Sequence, residues 1–171
     1  MVSVKIKDND LKNAAENSID QFLQLIIQSI LEAIGGEINA NTLEKLNVEQ
    51  ATLLAWNILH EEVMDGGYVQ LIYNGYGSFI FKNPFGRVMK DWGLKSLHSH
   101  IEHASKPYKK YHKTIEQERT DEDFMALFEQ YPEFDDLDDA FVEMEEEVTD
   151  TICHYVDEHL EDFVSVVKDK E

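Results

Sequence analysis

Asp135-Asp136-Leu137-Asp138-Asp139-Ala140-Phe141-Val142-Glu143-Met144-Glu145-Glu146-Glu147-Val148-Thr149-Asp150-Thr151-Ile152-Cys153-His154-Tyr155 contains neither glycine nor proline and repeats with the period of a helix. Leu137, Phe141, Met144, Val148, Ile152 and Tyr155 are spaced 4, 3, 4, 4 and 3 residues apart. At 100° per residue they fall within about 60° of one line, the stripe that a helix buries. Asp139, Glu143, Glu146, Asp150, Asp157 and Glu161 lie opposite, with Glu147 and Glu158 beside them. The stretch predicts the longest helix of the chain, capped by Asp135 or Asp136. It runs from about Leu137 to at least His159, with Val167 as its outer limit, and rises roughly 33 Å over its acidic face.

Carboxylates three or four residues apart on a helix sit about 5–6 Å apart at Cβ, and each like-charge pair costs a few tenths of a kcal/mol. No lysine or arginine inside this helix relieves that cost. Asp135, Asp136, Asp138, Asp139, Glu143, Glu146, Glu147, Asp150, Asp157, Glu158 and Glu161 therefore form the candidate partner-binding face. It is a rigid row of acceptors at a spacing comparable to the phosphates of one DNA strand, suited to a basic groove. The competing reading is a solvated acidic surface with no partner.

Working outward, the rest of the chain also reads as helix. Ile19, Phe22, Leu23, Ile26, Ile30 and Ile34 predict a first helix over about 11–34, stopped by Gly35-Gly36. A short turn of helix follows near Leu43. Asn47 with Gln50 three residues on predicts a capped start for a helix to about Met64, broken at Asp65-Gly66-Gly67. Tyr68 to Phe81 fits a strand or a short helix. Asn83-Pro84 opens a helix ending near Gly93, another covers about Leu94 to Ala104, and Pro107 starts a further one. Thr120 with Asp123 caps a helix that ends before Pro132. With no linker, repeat or composition break, the expectation is a single all-α domain over 1–171, built of about seven helices.

Charge narrows the class of function. The net charge is −20, but residues 1–60 carry 4 basic and 8 acidic groups, 61–120 carry 9 and 7, and 121–171 carry 2 and 20. The acid is localised, and phosphate would be repelled, so direct binding to nucleic acid or to an anionic membrane is not expected. Lys106, Lys109, Lys110 and Lys113 on one segment can offset only part of it. The lone Cys153 precludes an intrachain disulfide and suits a reducing compartment. The N-terminal residues lack a signal-peptide core, and the most apolar run, Phe22 to Ile34, is too short and polar to span a bilayer. A cytoplasmic protein is expected.

Gly66-Gly67-Tyr68-x-Gln70-x-x-Tyr73-Asn74, followed by Asn83-Pro84-Phe85 and Trp92-Gly93, resembles the core motif of the bacterial acidic DNA-mimic protein family over roughly residues 50–165. The resemblance implies an all-α fold, often a homodimer, and a partner such as a helix-turn-helix transcription factor bound in place of DNA. The motif residues themselves read as structural: glycines for a tight helix junction, with Gln70 and Asn74 on one face to satisfy loop backbone. Mimicry belongs to the acidic surface.

Other chemistry finds little support. His98, His100, His103 and His112 cluster without a cysteine and read as a histidine face in preference to a zinc site. His60-Glu61-Glu62-Val63-Met64 has methionine where a zinc-protease helix needs its second histidine. Asp135-Asp136-Leu137-Asp138-Asp139 lacks the spacing and glycine of a calcium loop. Cys153 reads as a structural thiol. No nucleophile with its base stands out, so neither catalysis, a metal nor a cofactor is expected. The expectation is an acidic DNA mimic that occupies the DNA-binding surface of a basic protein, a transcription factor or a nuclease, and is itself a homodimer. The alternative is an immunity-type inhibitor of a nuclease toxin, which uses the same electrostatics. Trp56, Tyr68, Phe79, Phe81 and Phe85 offer aromatic surface for the homodimer.

Overall fold

The computed structural model describes residues 1–170, and its regular elements are helices apart from two three-residue strands, in agreement with an all-α fold. The backbone folds as two compact units, Met1–Leu54 with Thr149–Glu171, and Ala55–Val148.

The first unit joins both ends of the chain. It contains β1 (Lys5–Lys7), α1 (Asp8–Asn17), α2 (Ile19–Ala33), α3 (Ala40–Leu43), the start of α4 (Val48–Tyr73), the end of α9 (Asp135–Glu158), α10 (Leu160–Phe163) and β2 (Ser165–Val167). The single helix expected over 11–34 is two. Ser18 is extended, and its hydroxyl accepts the Gln21 N–H at 3.0 Å, so it caps α2. The apolar period continues across this break, which is why periodicity does not reveal it. Leu11, Phe22, Leu23, Ile26, Ile27 and Ile30 are buried on α1 and α2. Asn47 and Gln50 form the expected reciprocal cap: Gln50 N–H donates to Asn47 Oδ1 at 2.8 Å and Asn47 N–H to Gln50 Oε1 at 3.2 Å. Their amides reach further, to the carbonyls of Asp162 and Phe163, each at 2.8 Å.

Helix α9 ends at Glu158, well short of Val167. Val164 is extended, and β2 pairs parallel with β1, setting Lys5 opposite Ser165, Ile6 opposite Val166 and Lys7 opposite Val167. The valine-rich run Val164-Ser165-Val166-Val167 favours a strand, but its partner lies at the other end of the chain, beyond any local signal.

The second unit holds the rest of α4, then α5 (Gly77–Phe81), α6 (Phe85–Asp91), α7 (Lys95–Ile115), α8 (Asp121–Gln130), a 3-10 turn (Pro132–Phe134) and the start of α9. Helix α4 is interrupted at Gly67, within the expected Asp65-Gly66-Gly67 break. It kinks there and resumes to Tyr73, so the uncertain stretch after Gly67 is helical, as is α5. Thr120 caps as expected, accepting the Asp123 N–H at 3.2 Å. Pro84 takes the N-cap position of α6 instead of the first helical one, and Asn83, one residue earlier, accepts the Phe85 N–H at 2.8 Å in a local turn. Pro107 does not start a helix; it lies inside α7. It deprives the His103 carbonyl of its helical donor. Buried Ala104 and Tyr108 on either side keep the two halves of α7 continuous. Among the described residues, no helix is long and apolar enough to cross a membrane.

Candidate protein-binding face

The glycine pair makes a socket for the acidic helix. Gly67 has φ 77° and ψ −176°, a region essentially reserved for glycine. A Cβ there would collide with the Asp138 carboxylate, and one on Gly66 with the Gln70 side chain. Asp138 Oδ1 accepts the Tyr68 N–H at 2.8 Å, taking a donor that the kink withdraws from the helical ladder. Gln70 and Asn74 do share a face, but they satisfy carboxylates instead of loop backbone. Gln70 Nε2 donates to Glu62 and Asp65 at 3.0 and 2.9 Å, and Asn74 Nδ2 to Glu62 at 2.9 Å. Tyr73 packs its ring on Phe124, with centroids 4.5 Å apart.

Tyr68 is fully buried and joins three elements. Its ring stacks on Phe134 and meets Phe141 edge-on, and its hydroxyl lies 2.8 Å from His100 Nε2 of α7. Burial holds the phenol pKa well above its usual value, with the Asp138 charge adding to the effect. Burial, then the His103 charge, pushes His100 down to about 4. At neutral pH the phenol therefore donates and a neutral imidazole accepts.

The inward line of α9 differs from the expected one. Phe134, Phe141, Val148, Ile152 and Val156 are fully or nearly fully buried, whereas Leu137, Met144 and Tyr155 are only half-buried. The inward line is thus turned by about 40° from the one the periodicity suggests. Asp138, placed on the binding face by sequence, is half-buried and faces the kink. Burial pushes its carboxyl up to about 6, against the lowering effect of the Tyr68 N–H. Glu145, which sequence periodicity did not single out, also turns inward, and His60 Nε2 donates to its Oε1 at 2.8 Å. Recentring the wheel on Phe134, Phe141 and Val148 would have placed both acids on the packed side.

Of the acids placed on the face by sequence, the remainder point outward. Asp135, Asp136, Asp139, Glu143, Glu146 and Glu147 are exposed in the second unit, and Asp150, Asp157, Glu158 and Glu161 in the first. Lys106, Lys109, Lys110 and Lys113 are exposed and form no ion pair with a carboxylate among the described residues; Lys110 instead lies over the Tyr111 ring. The acid is therefore not neutralised by these lysines within the fold.

The histidines have separate surroundings. His98 contacts the Gly86 carbonyl and Glu102, His112 contacts Glu116, and His100 is occupied by Tyr68. Among the described residues no group of three metal-ligating side chains converges. Cys153 is half-buried, and burial with the charges of Asp157, Asp150 and Asp20 pushes its thiol up to about 11, which leaves it unreactive at neutral pH.

A mostly helical scaffold whose glycine kink seats a helix with a row of exposed carboxylates defines a class of acidic helical proteins. The family model described as DMP19-like protein matches residues 44–159. A curated protein named DNA mimic protein DMP19, from Neisseria meningitidis serogroup B (strain ATCC BAA-335 / MC58), is 32% identical over 126 residues, covering 73% of this chain and 76% of its own. The chain belongs to the DMP19-like protein family.

Proposed function

We propose that this chain is an acidic DNA mimic that occupies the DNA-binding groove of a basic protein, with a helix-turn-helix transcription factor as the favoured partner. The observation that carries the reading is the outward row Asp139, Glu143, Glu146 and Asp150 on α9, exposed and free of internal lysine pairing. Kinship with a protein named as a DNA mimic supports it. The same carboxylates that repel phosphate attract the lysines and arginines of such a groove, and water and counterions leave both surfaces on contact. The whole chain acts as one binding domain. The action is stoichiometric, with no bond made or broken and no cofactor, and its setting is the cytoplasm.

The chain is also read as a homodimer, on the strength of the family, with α9 turned away from the dimer contact because two apposed acidic helices would repel. Trp56, Tyr68 and Phe85 are buried in the protomer, leaving half-exposed Phe79 and Phe81 as the aromatic surface available. Light scattering at micromolar concentration should give twice the 19.8 kDa chain mass.

The decisive experiment is competition. Duplex DNA should displace the protein from its partner, and the variant Asp139→Asn, Glu143→Gln, Glu146→Gln, Asp150→Asn should lose affinity at unchanged helix content. Neutralising Lys109, Lys110 and Lys113 should not weaken binding. Full affinity in the quadruple variant, or a ternary complex with DNA in the same groove, would exclude mimicry.

A further inference from the structure

On the packed side of α9 and the turn before it, Phe134, Asp138, Phe141, Glu145 and Val148 are spaced 4, 3, 4 and 3 residues apart, apolar and acidic in alternation. Each acid has a partner on α4. Asp138 takes the Tyr68 N–H and Glu145 takes the His60 ring, both at 2.8 Å, with the Phe141 ring between His60 and Tyr68. Asp138 and Glu145 are two helical turns apart, about 10 Å, and Tyr68 and His60 are separated by about as much along α4. The pairing runs antiparallel. Apolar contacts alone tolerate sliding and rotation, whereas buried polar pairs fix register.

We propose that Asp138 and Glu145 are positioning residues, a two-point clamp that fixes the rotation and register of α9 on α4 so that the remaining acids face outward. This rests on α9 being the binding face, and it removes Asp138 from the groups that meet the partner. A slip of one residue along α9 rotates it by 100°. That slip would carry Asp139 and Glu146 into the packed side and take carboxylates off the exposed row. The Gly67 socket belongs to the same device, because only a residue without Cβ leaves room for the Asp138 carboxylate.

The test uses the full chain with nitroxide labels at Met64→Cys and Val142→Cys, both exposed, in a Cys153→Ser background. Pulsed electron–electron distance measurements are made on Asp138→Ala, Asp138→Asn, Glu145→Ala and Glu145→Gln, with Asp139→Ala as an outward control. One narrow distance is expected in the parent, the control and the two amide variants, which keep an acceptor. The alanine variants should give a shifted or broadened distribution, and the Tyr68 amide should exchange roughly tenfold faster in Asp138→Ala. Alanine variants indistinguishable from the parent would overturn the clamp, as would amide variants as disturbed as the alanines, since the charge would then matter and not the hydrogen bond. If Asp138→Ala fails to fold, Glu145→Ala decides alone. No partner enters this experiment, so its failure is distinct from a failure of DNA competition.

Discussion

Gly67 and Asp138 meet at the kink of α4, where the missing Cβ leaves room for the carboxylate. An alanine at position 67 would have to adopt φ 77° with ψ −176° and fit its Cβ against the Asp138 carboxylate. Those two costs together should destabilise Gly67→Ala by about 2–4 kcal/mol, measured by urea denaturation. Adding Asp138→Ala should recover the steric part, so the double variant loses less than the sum. Asp138 behaves differently. Its carboxyl is raised to about 6 in the fold from 3.8. Folding therefore favours the protonated form, a stabilisation fully present below about pH 4 and lost as pH rises through 6. At pH 7 the charged carboxylate costs stability, so Asp138→Asn should stabilise the protein there by about 1–2 kcal/mol, allowing for its contact with solvent. The gain should vanish near pH 4. Equal stabilisation at both pH values would show that the carboxylate charge is not the cause.

At the scale of the helix, α9 carries an internal strain that its surroundings override. Asp139 with Glu143, Glu143 with Glu146, and Glu146 with Asp150 are like-charged neighbours at spacings of 4, 3 and 4. Neutralising all four should raise thermal stability by about 1 kcal/mol while it abolishes the proposed binding, so stability and affinity should move in opposite directions. Much of the helical layout was readable from local chemistry. The caps at Ser18, Asn47 and Thr120 all accept backbone N–H groups, though Ser18 was hidden because the apolar period continues across it. The ten outward acids were readable as well, because a helix wheel sorts exposed from buried at the resolution of a face. What stayed hidden depends on partners remote in sequence. The inward turn of Asp138 and Glu145 needs Tyr68 and His60, the continuity of α7 through Pro107 needs the core on both sides of it, and β2 needs β1.

For the whole molecule, a net charge of −20 makes salt act on folding and on binding with opposite signs. Screening relieves self-repulsion in the folded chain, so Tm should rise between low ionic strength and about 0.15 M, where the Debye length is about 8 Å. Over the same range, affinity for a basic partner should fall. Differential scanning calorimetry and a binding titration in matched buffers would read both. The parallel pairing of Lys5–Lys7 with Ser165–Val167 has a topological consequence. It brings both ends of the polypeptide into one unit, where the Asn9 N–H donates to Asp169 Oδ2 at 3.0 Å. Because the two strands run the same way, a linker of about a dozen residues or more is needed to carry the tail back to Met1. New ends can open between Gly35 and Gly36, which are exposed and have nothing within 4 Å of a Cβ position. Such a circular permutant should fold, because strand order around the closed backbone is preserved and the cut falls on an exposed loop tip.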